Sequence, residues 1–500
     1  MESLQLLTDA QMRQFVTEGY VFLKADFADE FHLKLSETLD QVYKEEGNPG
    51  NNILPRIPDL AKVFDHPVIR GALSSVLGED YMMHPHRHGH FNRSAEAGGW
   101  HKDSYWGHYK MRNHHPWWAM IFYYPQEVTL DMGPTGIMPG TQCYQTRTFV
   151  ENETQEERKA TGSAGTFALV HYDIWHRANA NIAGKDRYML KFQFMRRLAP
   201  TKASWDHNEE AEAWVNPSSY TAPIYEHEVV WRNTWNWLLG KENDAANNEA
   251  SQEQLAGWIS ELEHEDKAIR VRAADQLGLS ANGSNEVITG LTQALYDDFE
   301  PVALNAAYGL ARHGEAGIIQ LLKALQDESI HVSRAAAYGV STAGKAAVNG
   351  LIDILDSEDI KAVGGAAFAL GEIGDAAAVA IPRLMDLMRS ENEIIRRNTV
   401  EAIGLIGSSS EESVKGLELG IQDADDQVRF MAGMALTKMG SKAQNAIPVI
   451  AHALNDENRY VRATAVDALY SMNTDTAKDI LLKFLRDSRW CASTTPNSTF

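Results

Sequence analysis

Two histidines and one acid form the first candidate chemical group of this 500-residue sequence. In His101-Lys102-Asp103 the two outer side chains point the same way if the segment is a strand, because alternate residues of a strand share a face. His176 lies further along the chain and is the candidate third ligand. Two imidazoles and one carboxylate on one face of an octahedral Fe(II) ion leave three positions open, which suits a bidentate co-substrate and O2.

The His-x-acid pattern alone does not identify a site, because it begins at five histidines: His101, His171, His207, His264 and His313. The main rival is His171-Tyr172-Asp173. Its only close downstream histidine is His176, which lies on the same segment. We therefore favour His101 and Asp103, and we interpret His171 as a strand residue that packs near the site.

Two further segments supply a context for these ligands. The turn-rich segment 133–141, GPTGIMPGT, links two predicted strands. Arg187 follows His176 by eleven residues, at the start of the next predicted strand. Its planar guanidinium is suited to binding the distal carboxylate of 2-oxoglutarate through two hydrogen bonds.

Histidines occupy alternate positions of segment 84–90, at His84, His86, His88 and His90. On a strand they share a face, and Asn92 continues it. Either some of them contact co-substrate, substrate or a second metal, or they are structural residues whose ring nitrogens are hydrogen-bonded. We predict co-substrate contacts for His88, His90 and Asn92. We predict a substrate pocket that includes His86, Trp106, Trp118 and Thr135, although aromatic residues of this kind are also common in cores.

The elements that must position these residues are predicted from the chain pattern. Residues 7–23 indicate a capped helix followed by a short strand. Beyond them, aromatic and apolar segments such as 117–124 alternate with Gly/Pro turns, which is typical of an antiparallel β sandwich or jelly roll.

Several motifs of this half together resemble the phytanoyl-CoA dioxygenase family: LTDAQMRQFVTEGYVFL, WHKDS, GPTGIMPGT and IWHRANANIAGKDR. The resemblance implies a double-stranded β-helix that uses Fe(II), 2-oxoglutarate and O2. Carried over by position, it makes His101, Asp103 and His176 the iron ligands and Arg187 the 2-oxoglutarate anchor. Members that halogenate have a small residue in place of the acid, so Asp103 favours hydroxylation or another oxidation.

The C-terminal half is a repeat array. A pair of small or aliphatic residues followed by an apolar one recurs, and its first positions are Ala273, Ala306, Ala336, Ala366, Thr399, Ala432 and Ala465. The separations are 33, 30, 30, 33, 33 and 33 residues, which predicts a solenoid of stacked helix pairs. Small residues let neighbouring helices approach closely, to about 8–10 Å between axes.

These units resemble HEAT repeats over about residues 253–489. Deoxyhypusine hydroxylase, a catalytic HEAT family, places His-Glu pairs in several repeats, whereas this array has only His264-Glu265. We therefore interpret His264-Glu265 as a solvated turn and the array as a scaffold or partner-binding surface. Acids in the repeat turns suggest a basic protein partner.

Composition sets the remaining limits. The net charge of −22 argues against nucleic-acid binding, and two cysteines indicate a reducing compartment. With no apolar run of about 18 residues and no signal-peptide pattern, we expect a cytoplasmic protein that does not span a membrane. We predict an oxygenase domain at 1–238, a linker at 239–252, a solenoid of about seven repeats at 253–490 and a disordered tail at 491–500.

The predicted function is an Fe(II)- and 2-oxoglutarate-dependent dioxygenase that oxidises a small-molecule or acyl substrate with release of succinate and CO2. In this interpretation the array is an interaction or bracing module. The alternative is a non-catalytic HEAT scaffold with a degenerate β-helix binding domain.

Overall fold

The computed structural model describes residues 3–103, 111–150, 156–208, 214–217, 224–242, 248–281, 283–407 and 410–487. Trp106, which we predict to line the substrate pocket, lies outside the described residues, as do part of the predicted linker and the predicted tail.

The first half of the chain forms two β-sheets with flanking helices. Its strands are β1 Tyr20–Lys24, β2 Met82–Asn92, β3 Trp118–Tyr123, β4 Thr135–Ile137, β5 Arg158–Lys159, β6 Thr166–His171, β7 His176–Ala178 and β8 Arg187–Met195. Its helices are α1 Asp9–Glu18, α2 Asp29–Glu46, α3 Ile53–Arg56, α4 Leu60–Asp65, α5 Pro67–Leu77 and α6 Glu228–Leu238. The predicted opening helix is α1, which begins with a capping box between Thr8 and Gln11.

All pairs of neighbouring strands within the described sheets are antiparallel. The large sheet has the order β1-β6-β3-β8-β2, and the small sheet has the order β5-β4-β7. Alternation divides the large sheet into two faces. Ile121 and Phe192 pack with the helices in one core, whereas Met120, Phe122 and Met189 belong to a second core on the opposite face, together with Ile137 of the small sheet. The candidate ligands lie on this second face.

The second half of the chain is helical throughout its described part. Its helices are α7 Gln252–Glu261, α8 Lys267–Leu279, α9 Asn285–Ala294, α10 Glu300–Arg312, α11 Gly314–Ala324, α12 Ile330–Ser341, α13 Val348–Ile354, α14 Ile360–Ile373, α15 Ile381–Leu387, α16 Glu393–Ile406, α17 Glu411–Gly420, α18 Asp426–Met439, α19 Ile447–Ala453, α20 Arg459–Met472 and α21 Asp475–Asp487. The predicted fold class, a β domain with flanking helices followed by an all-helical array, is confirmed.

Small residues allow the even-numbered helices α8 to α20 to stack closely. A Cβ added to Gly309 of α10 would lie 2.7 Å from the Cα of Gly278 in α8, so neither position has room for a larger side chain without a shift. Ala307, a member of the recurring small-residue pairs, is part of a similar contact, because a Cβ added to Gly339 of α12 would lie 2.9 Å from the Cβ of Ala307 in α10.

Several acids of the repeat turns bind arginines within the array. Arg270, Arg396 and Arg429 each donate two hydrogen bonds to an aspartate 27 residues later: Asp297, Asp423 and Asp456 respectively. These bidentate pairs link the second helix of one repeat to the turn of the next. Part of the negative charge of the turns is thus neutralised inside the solenoid.

The second helices of the repeats also face the N-terminal domain. One position of each repeat forms a row on this side, two residues after the first residue of the recurring pair. The row consists of Asp275, Tyr308, Tyr338, Phe368, Glu401, Met434 and Asp467. Asp275 accepts a hydrogen bond from the backbone N–H of Val229 in α6, and the Tyr308 hydroxyl lies 2.9 Å from Nδ1 of His114. Met434 packs against the core of the β domain. The solenoid therefore docks on its own β domain through one repeated sequence position.

One stretch of the described chain, Ile360–Leu387, has the length and apolar composition of a membrane span, and 61% of its apolar window is buried inside the protein. It comprises α14, a 3-10 segment and α15, whose apolar residues belong to the repeat core. Such burial is typical of the core helices of a solenoid, so this stretch is weak evidence for a membrane span.

Candidate active site

His101 and His176 are held together by backbone pairing at the edge of the small sheet. Each donates its N–H to the carbonyl of the other at 3.0 Å, and their ring centroids lie 4.4 Å apart. Asp103 lies two residues beyond His101, on the same side. Donor atoms of these three side chains lie within 4.8 Å of one another, and no other group of three potential ligands converges in this way in the part of the chain that the structure describes.

Hydrogen bonds to carbonyl oxygens orient both imidazoles. Nδ1 of His101 lies 3.0 Å from the carbonyl oxygen of Gly99, and Nδ1 of His176 lies 3.1 Å from that of Ile174. Because a carbonyl only accepts, each Nδ1 carries the proton and each Nε2 presents a lone pair. The two Nε2 atoms lie 4.0 and 3.5 Å from carboxylate oxygens of Asp103. This arrangement of donors is the one that a metal ion requires.

The protonation states of His176 and Asp103 at neutral pH suit the binding of a metal cation. Burial lowers the pKa of His176 to about 4, although Asp103 opposes the shift, so the ring is neutral at pH 7. Burial acts to raise the pKa of Asp103, but His176 and Lys191 together outweigh it and hold the pKa below its ordinary value. Asp103 is therefore ionised at neutral pH.

Sequence reasoning missed Lys191, which donates to Oδ2 of Asp103 at 2.8 Å. Lys191 is buried on β8 and is paired with Phe122 of β3 and His88 of β2 across the sheet. The available signal was a single lysine within the apolar segment 188–195, at an alternate position from Arg187. A buried cation at that position requires a counter-ion, which marks it as more than a packing residue.

The rival acid Asp173 is occupied by other partners. Its carboxylate accepts hydrogen bonds from Nη1 of Arg112 at 3.0 Å and from the backbone N–H of Asn113 at 3.1 Å. His171 is buried, and its Nδ1 accepts from the backbone N–H of Asp173. The two residues form a structural cluster beside the site, with Asp173 fully buried in an ion pair.

Arg187 is the first residue of β8 and is 1% exposed. Its Nε and Nη2 donate to the carbonyl oxygen of Gly133, at 3.1 and 2.8 Å, whereas Nη1 has no hydrogen-bond partner among the described residues. Gly133 has a φ of +68°, and a Cβ there would lie 2.5 Å from the Asn179 carbonyl oxygen, so this close approach requires glycine. A buried guanidinium with an unused donor fits an anionic ligand such as a carboxylate.

The alternating histidines lie on β2, as predicted, with a register shift between Met83 and Arg87. The rings of His86, His88 and His90 follow one another at centroid distances of 6.1 and 5.1 Å. Burial lowers the pKa of His88, and it lowers the pKa of His90 further, so both rings are neutral at pH 7. Asn92 lies opposite Arg187, and its amide donates to the carbonyls of Gly133 and Asn179.

The described members of the predicted substrate pocket lie in different places. His86 contacts the solenoid through Tyr460. Trp118 is at the solenoid end of β3 and lines a small interdomain cavity with Phe430 and Lys438. Thr135 is buried at the start of β4, two residues after Gly133, and its N–H donates to the hydroxyl of Tyr124.

Comparison with protein families identifies both halves. Residues 23–189 match the family model for phytanoyl-CoA dioxygenase (PhyH). The N-terminal domain is a PhyH domain. Residues 348–419 and 414–491 match the model for HEAT repeats. The residues matched by the PhyH model include all three convergent ligands and Arg187. In the second half, the helix pairs before residue 348 continue the HEAT architecture.

Solved structures that are similar to part of this chain include those of ThoJ, HygX and EctD. The non-haem monooxygenase ThoJ in its apo form is 16% identical, with 40% of this chain and 84% of that chain covered and a TM-score of 0.32. HygX from Streptomyces hygroscopicus, with nickel and 2-oxoglutarate bound, is 11% identical, with 38% and 87% covered and a TM-score of 0.32. EctD from S. alaskensis, with 2-oxoglutarate and 5-hydroxyectoine, is 16% identical, with 39% and 78% covered and a TM-score of 0.34. No curated protein matches the chain.

Proposed function

We propose that this protein is an Fe(II)- and 2-oxoglutarate-dependent dioxygenase that hydroxylates or otherwise oxidises a small-molecule or acyl substrate. The observation that carries the proposal is the convergence of His101, Asp103 and His176, with both imidazole lone pairs directed toward one ionised carboxylate. Two imidazoles and one carboxylate are the ligand set of non-haem Fe(II) oxygenases. The unused Nη1 of buried Arg187 supports an acidic co-substrate in the same cleft.

In this proposal the side chains have separate tasks. His101 and His176 hold the metal through Nε2, Asp103 holds it through a carboxylate oxygen, and Arg187 binds the distal carboxylate of 2-oxoglutarate. When bound, Fe(II) and 2-oxoglutarate supply the oxidising chemistry, in which one atom of O2 enters the substrate, the other enters succinate, and CO2 is released. Phe122, whose ring centroid lies 5.3 Å from that of His176, limits water at the apolar side of the cleft.

The solenoid is proposed to brace this domain. Its contacts include a hydrogen bond of 2.8 Å between His115 and Glu372 and a backbone hydrogen bond from Arg112 to the Tyr338 hydroxyl. Both His115 and Arg112 lie in the segment that leads into β3. Docking on the solenoid thus constrains a strand of the metal-bearing cleft. Binding of a separate protein partner would have to use other faces of the array.

Substitution of a proposed ligand tests the function. In His176→Ala we expect Fe(II) binding, measured on anaerobically desalted protein, and 2-oxoglutarate-dependent succinate release to fall by at least about a hundredfold, because even loss of a ligand's orienting partner costs up to that much. His452→Ala, which alters an exposed solenoid histidine, is the matched control and should retain both properties. Full iron content and succinate release in His176→Ala would contradict the assignment. Absence of iron binding and 2-oxoglutarate decay in the unmodified protein would favour the non-catalytic binding module.

A further inference from the structure

The side of the cleft between the metal ligands and the last described repeat carries an excess of nitrogen donors. His88 and Lys191 are direct partners across β2 and β8. One step further along β2, Nδ1 of His86 lies 3.0 Å from the hydroxyl of Tyr460 in α20. Nη2 of Arg459 donates to the same hydroxyl at 3.3 Å. A cation from β8 and a cation from the solenoid therefore flank the same pair of histidines.

The charge balance of this region changes when the site is loaded. In the protein alone, Asp103 is the counter-ion of Lys191, at 2.8 Å. With Fe(II) and 2-oxoglutarate bound, the positive charges of the metal and Arg187 are matched by Asp103 and the two carboxylates of the co-substrate. Lys191 then has no negative charge left to balance its own, and an unpaired buried charge is strongly unfavourable. A further anion would restore the balance.

Unused hydrogen-bonding capacity points to the same region. Nδ1 of His88 is buried and has no hydrogen-bond partner among the described residues. Burial and the nearby cations lower the pKa of His86 to about 4 and also lower that of His88, with Lys191 and Arg459 both contributing. Asp103 acts in the opposite direction and raises the pKa of His86, but burial and the neighbouring nitrogen groups outweigh it. The region is thus electropositive and contains an imidazole able to form a further hydrogen bond.

We propose that the substrate carries an anionic group, a carboxylate or a phosphate, which binds between Lys191 and Arg459 with His88 as a hydrogen-bonding neighbour. The inference rests on the proposed function and adds a substrate class to it. It also gives the HEAT array a direct part in substrate binding, because Arg459 belongs to α20. Arg187, the first residue of β8 and four positions before Lys191, remains available for the co-substrate.

The test measures anion binding by calorimetry on the full chain loaded with Ni(II) and 2-oxoglutarate. The probes are methyl phosphate and propionate, with neutral propionamide as the control ligand. We expect both anions to bind and propionamide not to bind. Loss of one charge-assisted hydrogen bond should weaken anion binding at least about tenfold in Lys191→Met and several-fold in Arg459→Met. Arg389→Met, which alters an arginine side chain that is 69% exposed, is the matched control and should leave binding unchanged.

Three outcomes would overturn the proposal. They are no anion binding by the unmodified chain, anion binding by the Lys191→Met and Arg459→Met variants that is as strong as that of the unmodified chain, and competition between the anion and 2-oxoglutarate. Competition would place Lys191 on the co-substrate instead. If Lys191→Met loses the metal, Arg459→Met still decides, because Arg459 does not contact a proposed ligand. The titration is repeated on the metal-free chain and needs no turnover. Anion binding without succinate release would therefore contradict the proposed function and leave the anion site standing.

Discussion

The two ends of the metal-facing side of β2 and β8 are closed by different parts of the chain. At the Arg187 end, the closing groups are the carbonyls of Gly133 and Asn179, which belong to the same domain. At the His86 end, the closing group is Tyr460, 374 residues further along the sequence. Among the described residues, the proposed co-substrate end is therefore built by the PhyH domain, whereas the proposed substrate end is completed by the solenoid.

The largest expected effect is at the self-contained end. Arg187→Met removes the buried guanidinium, so we expect the KM for 2-oxoglutarate to rise at least about a hundredfold, because two charge-assisted hydrogen bonds are lost. Fe(II) binding should persist, since the three proposed ligands are unchanged. The measurement is succinate release against 2-oxoglutarate concentration, with iron content determined in parallel.

Arg93→Met is the matched control for this substitution. Arg93 lies one residue beyond β2, and its side chain is 62% exposed and pairs with Asp186. Its removal should leave the KM for 2-oxoglutarate unchanged. An unchanged KM in Arg187→Met would show that the co-substrate is bound elsewhere and would remove the distinction between the two ends.

The solenoid contact should also depend on pH. Burial raises the pKa of Asp275 to about 8, above its ordinary value of 3.8. The protonated carboxyl of Asp275 stabilises the folded protein. This contribution is fully present below pH 4, and it is lost progressively as the pH rises from 4 through 8. Relative to Asp275→Asn, the free energy of unfolding of the unmodified protein should therefore fall by up to about 1.4 kcal/mol per pH unit within this window.

Urea unfolding between pH 5 and 8.5 measures this dependence. Asp298→Asn, which alters a side chain that is 96% exposed, is the control and should run parallel to the unmodified protein. A parallel curve for Asp275→Asn as well would show that Asp275 does not couple docking to pH. Glu401 and Asp467, whose pKa values burial raises to about 7, lie on the same row and provide further variants.

Features that depend on local sequence patterns can be predicted for much of this molecule. Features that depend on contacts between distant segments can hardly be predicted. The His-x-Asp spacing is local, and the repeat period is visible along the chain. Lys191 was missed because its importance depends on which residues lie across the sheet. For the same reason the sequence left open whether the array braces the β domain or binds a partner, although docking had a signal: Asp275, Tyr308 and Tyr338 occupy one position of successive repeats. Polar and aromatic residues at a repeated inward position indicate a partner surface, and here the partner is the PhyH domain.

The smallest expected effect tests the composite end most directly. Tyr460→Phe removes the hydroxyl that contacts His86, Arg459 and Asn51 but keeps the ring, so only these hydrogen bonds are lost. Because a hydrogen bond of this kind contributes about 1 kcal/mol, we expect methyl phosphate affinity to fall about fivefold. The KM for 2-oxoglutarate should stay the same, since Arg187 lies at the other end of β8. Tyr470→Phe, at a position 76% exposed on the same helix, is the control. A change in the KM for 2-oxoglutarate in Tyr460→Phe would mean that the two ends are coupled, and that the solenoid shapes the whole cleft instead of its substrate side.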